Sequence, residues 1–364
     1  MRVFLDASAA AKAERTGVGH YTARLAAALL AEDPSLELVL GVRLGRWRRR
    51  RHVLRLDGAP GRVAARWFAS GMPSLATRGC AVAHGPDARV VGGRAPQVVT
   101  VHDLFSLKSD AWADDRFRAQ KLERYAEAVA CADRILCVSE ATARDVESML
   151  RVPRERLVVT PLGVDPAFAP RPPAEVAAVL ARLGVRPPYL LFVGLAQPRK
   201  NLEAVGTVFG RLAARRDDLR LVLAGPDGYP EGRLDAIVER TGAPERVQRL
   251  GYASPEDLPA LYGGAAALLF PSRDEGFGLP ALEAMACGCP VVTSDAGALP
   301  EVVGPGGLVF RPDAFDDLEE ATARMLEDED ARAAQVARGL ARARELPWSR
   351  TARATLDAYR AVAR

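Results

Sequence analysis

The stretch FPSRDEGFGLPALEAMACGCPVVTSD, residues 270–295, contains a strand end, a turn, a helix and a second strand. An apolar run ends in FPS, and RDEGFG is predicted to be a turn because its two glycines accept backbone conformations that other residues resist. LPALEAMAC then begins a helix with Pro280 near its first position, where a missing N–H costs nothing. PVVTSD is the next apolar strand. The stretch therefore predicts a strand–helix–strand unit of a parallel sheet.

The same alternation of short apolar runs and helical patterns occurs twice along the chain. In the first half the predicted strands are RVFLD, LELVLGV, AVAHG, QVVTVHD, RILCVS and RLVVTP. In the second half they are YLLFVG, LRLVLAG, VQRLGY, AALLFPS, PVVTSD and GLVF. Near-continuous apolar strands separated by helices predict parallel sheets covered on both faces. We therefore predict an α/β protein with two doubly wound, Rossmann-like domains facing a central cleft.

A proline-rich segment marks the boundary between the predicted domains. Prolines at positions 166, 170, 172, 173, 187 and 188 do not suit the interior of a helix or a strand. We predict an N-terminal domain over residues 1–168, a linker over 169–187 and a C-terminal domain over 188–346. A last helical pattern over about 347–364 follows a break at Pro347.

Composition excludes several classes of protein. Apolar runs such as YLLFVGLA are far shorter than the roughly 18 residues that a membrane span needs. The N-terminus shows no pattern of a secretory signal. Five cysteines, an odd number without metal-type spacing, fit a reducing compartment. We expect a cytoplasmic protein.

Positive charge is concentrated in the run RWRRRRH, residues 46–52, although the net charge is only +4. Such a run suits phosphate groups, and nucleic acid is not the expected partner because stacking aromatics are scarce. A solvated loop in an arginine-rich chain is the alternative. The hypothesis is peripheral contact with the anionic inner face of a membrane. It would use the side chains of Arg46, Arg48, Arg49, Arg50 and Arg51.

Two glutamates, Glu275 and Glu283, are separated by seven residues across the turn and the helix start. The unpaired amides of Gly278 and Leu279 predict an anion site at that helix start. A carboxylate beside a phosphate is repelled unless it binds another part of the ligand. A ligand with a phosphate for the helix start and several hydroxyl groups for the carboxylates satisfies the whole pattern. The pattern therefore predicts a nucleotide-sugar site. For Glu283, favourable helix electrostatics is the alternative.

Two further segments supply candidate groups for the phosphates. In FVGLAQPRKN, Arg199 and Lys200 follow a strand and a loop that contains Gly194, and they could neutralise a diphosphate. In RTGVGHYTARL, the amides of Gly17 and Gly19 form a glycine turn before a helix and are available to an anion. The segment lacks the acidic residue that a dinucleotide-binding motif places further along, so it does not favour a dehydrogenase.

Polar residues of the first half follow predicted strand ends, where doubly wound sheets bind ligands. The histidines His20, His84 and His102 fall at such junctions, and Asp103 follows the last of them. Each histidine is also explained as a simple hydrogen-bonding cap. Both interpretations stay open for His20.

Together these residues resemble a family over nearly the whole chain, the retaining glycosyltransferases of the two-Rossmann-domain type (GT-B), specifically family 4, or group 1. The likeness favours mannosyltransferase-like members that assemble polysaccharides. Its most specific element is the E-x7-E motif from Glu275 to Glu283. Supporting elements are GVGHYT, TVHDL, VSEAT, PLGVDPAF, VGLAQPRKN, LAGPDG, LGYASPEDLPALY and GALPEVVG.

The resemblance implies a role for each motif residue. Glu283 would bind the ribose and Glu275 the transferred sugar, while Lys200 with Arg199 would neutralise the diphosphate leaving group. Further implied donor contacts are Gly17, Gly19, Gly194, Leu250, Tyr252, Gly276, Phe277, Gly278 and Leu279. The implied acceptor residues are His20, Tyr21, His84, His102 and Asp103. The implied catalytic residues are Glu275, Lys200, His102 and Arg199.

Other expectations concern mechanism and organisation. Many family members have an arginine where this chain has Leu195, which gives Arg199 and Lys200 the larger role. Since cations and helix-start amides stabilise the charge on the leaving group, we expect neither a metal nor another cofactor. The resemblance implies retention of anomeric configuration, and a C-terminal helix that packs on the first domain.

The predicted activity is transfer of a hexose, with mannose from GDP-mannose as the best assignment and a UDP-linked donor as the other option. The acceptor would be a lipid-linked or polysaccharide glycan. One alternative is a nucleotide-sugar epimerase of the same fold, which forms product without an acceptor. Another is an inactive regulatory protein that binds nucleotide sugars.

Overall fold

A computed structural model describes residues 1–11, 17–45, 62–69 and 73–363 of the chain. The chain divides into two compact units. Unit 1 contains Met1–Gly163 and Pro347–Arg364, and unit 2 contains Val164–Leu346. The arginine run at 46–51, with the hypothesis of membrane contact through it, lies outside the described residues. Every helix in the described ranges is too short or too polar to cross a membrane.

The described residues of unit 1 form a parallel sheet of seven strands in the order β3-β2-β1-β4-β5-β6-β7. The strands are β1 (Arg2–Asp6), β2 (Glu37–Arg43), β3 (Val63–Phe68), β4 (Val82–Gly85), β5 (Gln97–Val101), β6 (Arg134–Cys137) and β7 (Leu157–Val159). The helices before the boundary are α1 (Gly17–Glu32), α2 (Pro73–Ala76), α3 (Phe105–Lys108), α4 (Asp115–Cys131) and α5 (Glu140–Leu150). The central strands β4 and β5 are buried along their whole length, as their apolar sequences predict.

One strand of unit 1 was not predicted. β3 has the sequence VAARWF and pairs only with β2, at the edge of the described sheet. Most of its residues are partly or fully exposed. An edge strand lacks the continuous apolar run that marks a strand buried on both faces, so its sequence carries a weaker signal.

Unit 2, all of whose residues are described, contains a parallel sheet of six strands in the order β10-β9-β8-β11-β12-β13. The strands are β8 (Tyr189–Val193), β9 (Arg220–Ala224), β10 (Val247–Gly251), β11 (Ala267–Phe270), β12 (Val291–Ser294) and β13 (Gly307–Phe310). The helices are α6 (Pro173–Leu183), α7 (Leu202–Ala213), α8 (Arg233–Glu239), α9 (Leu258–Gly264), α10 (Leu279–Ala286), α11 (Leu299–Val303), α12 (Phe315–Glu327) and α13 (Glu329–Arg344). The predicted α/β class with two doubly wound sheets is confirmed.

The predicted linker over 169–187 is wrong in part, because α6 occupies its middle and packs against α9 within unit 2. Pro172 caps this helix and Pro173 is its first residue. Proline at a first helical position loses no hydrogen bond and has a suitable φ angle. These prolines therefore begin a helix inside the segment that was predicted to be a linker.

The last helix, α14 (Trp348–Val362), belongs to unit 1 although unit 2 precedes it in the chain. It packs against α1 and contacts β6 and β7. Its buried residues include Ala352, Leu356 and Tyr359. The family resemblance implied this packing of the last helix on the first domain.

Candidate active site

The loop after β11 and the helix α10 carry six of the thirteen predicted donor residues. β8 and β11 are neighbours where the strand order of unit 2 reverses, so the β8 loop (residues 194–201) and the β11 loop (residues 271–278) meet. Gly278 precedes α10 with a φ of 100°, and a Cβ there would lie 2.6 Å from the Leu299 side chain. The helix start, with its free amides at Gly278 and Leu279, therefore depends on glycine.

Glu275 lies at the centre of a buried ionic cluster. Its Oε1 accepts a hydrogen bond from Lys200 Nζ at 2.5 Å, and its Oε2 lies 3.1 Å from a terminal nitrogen of Arg199. Each of the three residues is only 7–8% exposed. Burial by itself raises the pKa of Glu275, but Lys200 and Arg199 outweigh it and hold the pKa at about 2. The three side chains together carry one surplus positive charge, which suits an anionic ligand.

The backbone of Glu275 is held by the loop after β12. The Ala298 N–H donates to the Glu275 carbonyl oxygen at 2.9 Å. Gly297 has a φ of 59°, and a Cβ there would lie 2.3 Å from the same oxygen. The two neighbours of Glu275 in the predicted donor set differ in burial, since Gly276 is partly exposed and Phe277 is buried. The GALPEVVG element thus holds the backbone of Glu275 in place, a role that its sequence did not reveal.

Glu283 lies on α10, and its protein partner was not predicted. Tyr262 on α9 is fully buried, and its hydroxyl donates to Glu283 Oε2 at 3.1 Å. Burial raises the pKa of Glu283 to about 7, which the Tyr262 hydrogen bond opposes and the charge of Asp165 reinforces. Hydrogen bonds from ligand hydroxyls would favour the ionised form of such a carboxyl.

The predicted base-binding segment lies at the end of β10. Tyr252 is 60% exposed, and Leu250 is partly exposed. Gly251 between them lines a cavity of about 140 Å³ together with Gly194 of the β8 loop. A Cβ on Gly194 would lie 3.8 Å from Lys200 Cε. Unit 2 therefore brings the predicted base segment, the Gly194 loop and the ionic cluster to one end of its sheet.

The glycines of the first half lie in a helix rather than before it. α1 begins at Gly17, so Gly17 and Gly19 belong to its first turn. His20 follows in the same turn and is partly exposed. First-turn amides have no partner within the helix, so they remain candidates for an anion. Residues 12–16, which complete the predicted turn, lie outside the described residues.

Two predicted acceptor residues, His84 and Tyr21, belong instead to a buried network in unit 1. His84 Nδ1 lies 2.6 Å from the Tyr359 hydroxyl, and Nε2 lies 2.8 Å from Thr100 Oγ1. Thr100 Oγ1 is 2.9 Å from the Tyr21 hydroxyl. Both predicted residues are at most 1% exposed, and burial lowers the pKa of His84 to about 3. Side chains with no exposed surface do not reach an acceptor, so the structure corrects this prediction.

His102 keeps an exposed surface after β5. Its Nε2 donates to the Pro86 carbonyl oxygen at 2.8 Å, and the Tyr21 ring packs edge-on at 4.7 Å between centroids. Burial lowers the pKa of His102, so the ring is neutral near pH 7 and Nδ1 is the acceptor nitrogen. The neighbouring Asp103 is partly exposed, and its carbonyl oxygen accepts from the Tyr125 hydroxyl at 2.8 Å.

The sequence interpretation also missed Asn201, although the composition contained a signal for it. Asn201 is the only asparagine of the chain, and it directly follows Lys200, one of four lysines. It is fully buried between the β8 and β11 loops. As to metal ligands, the described ranges contain no group of three or more histidine, cysteine, aspartate or glutamate side chains arranged to hold an ion.

Comparison with known proteins assigns the chain to a family. The Glycosyltransferase Family 4 model matches residues 15–168, and the Glycosyl transferases group 1 model matches residues 181–342. The O-antigen chain mannosyltransferase B of Escherichia coli is 35% identical over 280 residues, which cover 76% of this chain and 73% of that relative.

Solved structures show the same fold. Sucrose-phosphate synthase from Thermosynechococcus elongatus matches with a TM-score of 0.75 at 20% identity, over 99% of this chain and 98% of that one. Anabaena HepE, solved in complex with UDP and glucose, matches with a TM-score of 0.74 at 19% identity, over 98% of each chain. The predicted GT-B class is thereby confirmed. The protein is a glycosyltransferase, and its chain belongs to family 4, the group 1 glycosyltransferases.

Proposed function

We propose that the protein transfers a hexose from a nucleotide sugar to a glycan or lipid-linked acceptor, with GDP-mannose as the donor. The observation that carries the proposal is the buried cluster in which Lys200 and Arg199 bind Glu275, beside the free amides that begin α10. The name of the Escherichia coli relative supports mannose. The UDP bound to HepE makes a UDP-linked donor the alternative.

The cations of the cluster suit a diphosphate leaving group. As the bond between the sugar C1 and the phosphate oxygen breaks, negative charge grows on the diphosphate. Lys200, Arg199 and the amides of Gly278 and Leu279 would stabilise that charge, an effect that is worth several kcal/mol in enzymes of this kind. Because the chain itself supplies these positive groups, we propose that the reaction needs no metal.

Glu275 suits the sugar rather than the phosphate. With a pKa of about 2 it stays ionised, so it accepts hydrogen bonds from sugar hydroxyls at all physiological pH values. Two cations already engage its oxygens, which makes it a weak nucleophile. The hexose therefore passes directly to the acceptor oxygen, whose proton moves to an oxygen of the departing phosphate. Attack from the same face as departure retains the anomeric configuration.

Two other predicted residues complete the proposed donor site. Glu283 accepts hydrogen bonds from the ribose hydroxyls, which favour its ionised form. His102, neutral and with Nδ1 as acceptor, binds a hydroxyl of the transferred sugar. Neither residue needs to exchange a proton with the substrate in this assignment.

Turnover of defined donors tests the proposal. The full chain is incubated with GDP-mannose or UDP-glucose and octyl α-mannoside, in the presence of EDTA. We expect nucleoside diphosphate release that depends on the acceptor, and an α-linked product by its one-bond C1–H1 coupling. Product without an acceptor would indicate an epimerase. Binding without turnover of either donor, whether EDTA or magnesium is present, would favour the inactive regulatory protein.

A further inference from the structure

Asn201 joins the β8 loop to two other segments of unit 2. Its Nδ2 donates to the carbonyl oxygens of Pro271, at 3.1 Å, and Pro312, at 2.9 Å. Its Oδ1 accepts from the side chain of Arg273 at 3.2 Å. Both N–H groups and the oxygen of this buried amide are therefore used, and they link the chain after β8 to the chain after β11 and β13.

The backbone of Asn201 is as unusual as its side-chain contacts. Its φ is 55°, in the left-handed region, and α7 begins at the next residue. Asparagine tolerates this conformation better than most residues with a side chain. Glycine would supply the backbone without the hydrogen bonds, and aspartate would place an oxygen where two carbonyl groups need a donor. Asparagine tolerates the left-handed backbone and also donates to both carbonyl groups, which explains why an otherwise asparagine-free chain contains it here.

The same two loops make further contacts around the ionic cluster. The Arg273 N–H donates to the Arg199 carbonyl oxygen at 2.8 Å. The Arg199 side chain donates to the Asp274 carbonyl oxygen. Lys200 directly precedes Asn201, so the placement of the Asn201 backbone determines where the Lys200 ammonium meets Glu275.

We infer that Asn201 is a positioning residue, which holds Lys200 against the β11 loop at the distance that a donor diphosphate requires. This inference rests on the proposed function, because the position of Lys200 is argued to control the affinity for a diphosphate. Asn201 does not itself touch the donor. Its loss lets Lys200 shift, which weakens contact with the second phosphate, while contacts with base and ribose near Glu283 remain.

Calorimetric binding of GDP, GMP, UDP and UMP to the full chain tests this inference. The ratio of the monophosphate Kd to the diphosphate Kd measures the contribution of the second phosphate. In Asn201→Gly we expect this ratio to fall about tenfold, because a weakened hydrogen bond to a charged group has an effect of about that size on affinity. The monophosphate Kd is expected to stay near the wild-type value. Asn201→Asp is expected to lower the ratio at least as much.

Two variants separate positioning from stability. Thr322→Val removes another fully buried hydrogen bond of unit 2, from Thr322 Oγ1 to the Leu318 carbonyl oxygen. It is expected to lower Tm and leave the ratio unchanged. Arg273→Met removes an exposed partner of Asn201 and is expected to lower the ratio less than Asn201→Gly does. If Asn201→Gly does not fold, Arg273→Met decides the question.

Three results are informative. A lowered ratio in the folded variants supports the inference. A wild type that prefers diphosphates, with the same ratio in Asn201→Gly, overturns the inference and leaves the proposed function intact; if Asn201→Gly does not fold, the same ratio in Arg273→Met has this meaning. A wild type that shows no preference for diphosphates overturns both.

Discussion

Unit 1 and unit 2 each contain a buried polar cluster, on strands of the sheet in unit 1 and in loops at the strand ends in unit 2. The two clusters differ in charge. In unit 2, Glu275 pairs with the cations Lys200 and Arg199. In unit 1, His84 bonds only to hydroxyl groups and is neutral, because burial lowers its pKa to about 3. The unit 1 network contains no charged side chain, whereas the unit 2 cluster contains two cations and a carboxylate.

We interpret this difference as one between a structural network and the candidate binding site. The hydroxyl of Tyr359 on α14 meets His84 on β4, so the network attaches the last helix of the chain to the sheet of unit 1. Buried hydrogen-bonded networks of this kind stabilise one arrangement of the elements when all members are satisfied. Buried charges are costly unless they are paired, and two neighbouring cations suit an anionic ligand as a further partner. Five predictions test this contrast and the role of the nearby carboxyl group of Glu283.

Replacing Lys200 by alanine is expected to have the largest effect. It removes a cation from the leaving group, and loss of one such stabilising group lowers kcat by about 10²–10³-fold. Steady-state kinetics with the donor nucleotide sugar measure the change. Arg215→Ala, which removes an exposed cation paired with Glu319, is the matched control and is expected to retain activity. Wild-type turnover in Lys200→Ala would remove Lys200 from the mechanism.

Replacing Glu275 by glutamine is expected to separate sugar binding from phosphate binding. Transfer is expected to fall about 100-fold, a loss typical of a group that acts in the transition state. Binding of GDP or UDP is expected to stay equal or become tighter, because Lys200 and Arg199 lose a competing anion. Calorimetry measures the affinity. Weaker diphosphate binding would instead show that Glu275 serves mainly to hold the cations in place.

Replacing Tyr359 by phenylalanine is expected to destabilise unit 1 without a change in charge. His84 Nδ1 loses a buried partner, which costs about 1–3 kcal/mol of unfolding free energy. Denaturant titration measures this change. Arg353→Ala on the same helix removes an exposed ion pair to Glu32 at 3.0 Å and is the control, with an expected cost of about 0–1 kcal/mol. Equal losses in both variants would contradict a structural role for the network.

The smallest expected effect is the pH dependence of nucleotide binding through Glu283. Its pKa is raised to about 7, and in the proposed site its ionised form accepts hydrogen bonds from the ribose hydroxyls. Diphosphate affinity is therefore expected to rise about tenfold from pH 6 to pH 8, because protonation competes with the ligand below the pKa. Glu283→Gln is expected to bind more weakly and to lose the Glu283 part of the profile, which leaves the titration of the diphosphate itself. An unchanged slope in this variant would assign the titration to another group.

The same group affects stability in the opposite direction. The folded-state pKa of Glu283 lies above the ordinary value of 4.5, so the folded chain holds more protons than the unfolded chain between these values. Its contribution to stability is fully present below about pH 4.5 and is lost as the pH rises through about 7. Denaturation of the wild type and Glu283→Gln across this range measures the difference.

Local patterns in the sequence determined the type of fold and indicated an anion site at the start of α10. Continuous apolar runs predicted the central strands because those strands are buried on both faces. The EGFGLP stretch predicted the helix start because glycine and proline have distinct backbone preferences at such positions. The half-exposed strand β3 lacks an apolar run and was missed. The helix α6 was missed because its prolines lie at its start, where they are compatible with a helix.

Only the tertiary structure decided which polar residues are paired and which retain exposed surface. His84 and Tyr359 are separated by 275 positions, so no local pattern indicates that they bond to each other. Tyr262 and Asn201 likewise find their partners in other segments of unit 2. Whether a polar group binds a ligand or supports the protein depends on burial and on the neighbours that folding brings to it. The chemistry of a side chain follows from its residue type, but whether a ligand can reach it depends on contacts between distant parts of the chain.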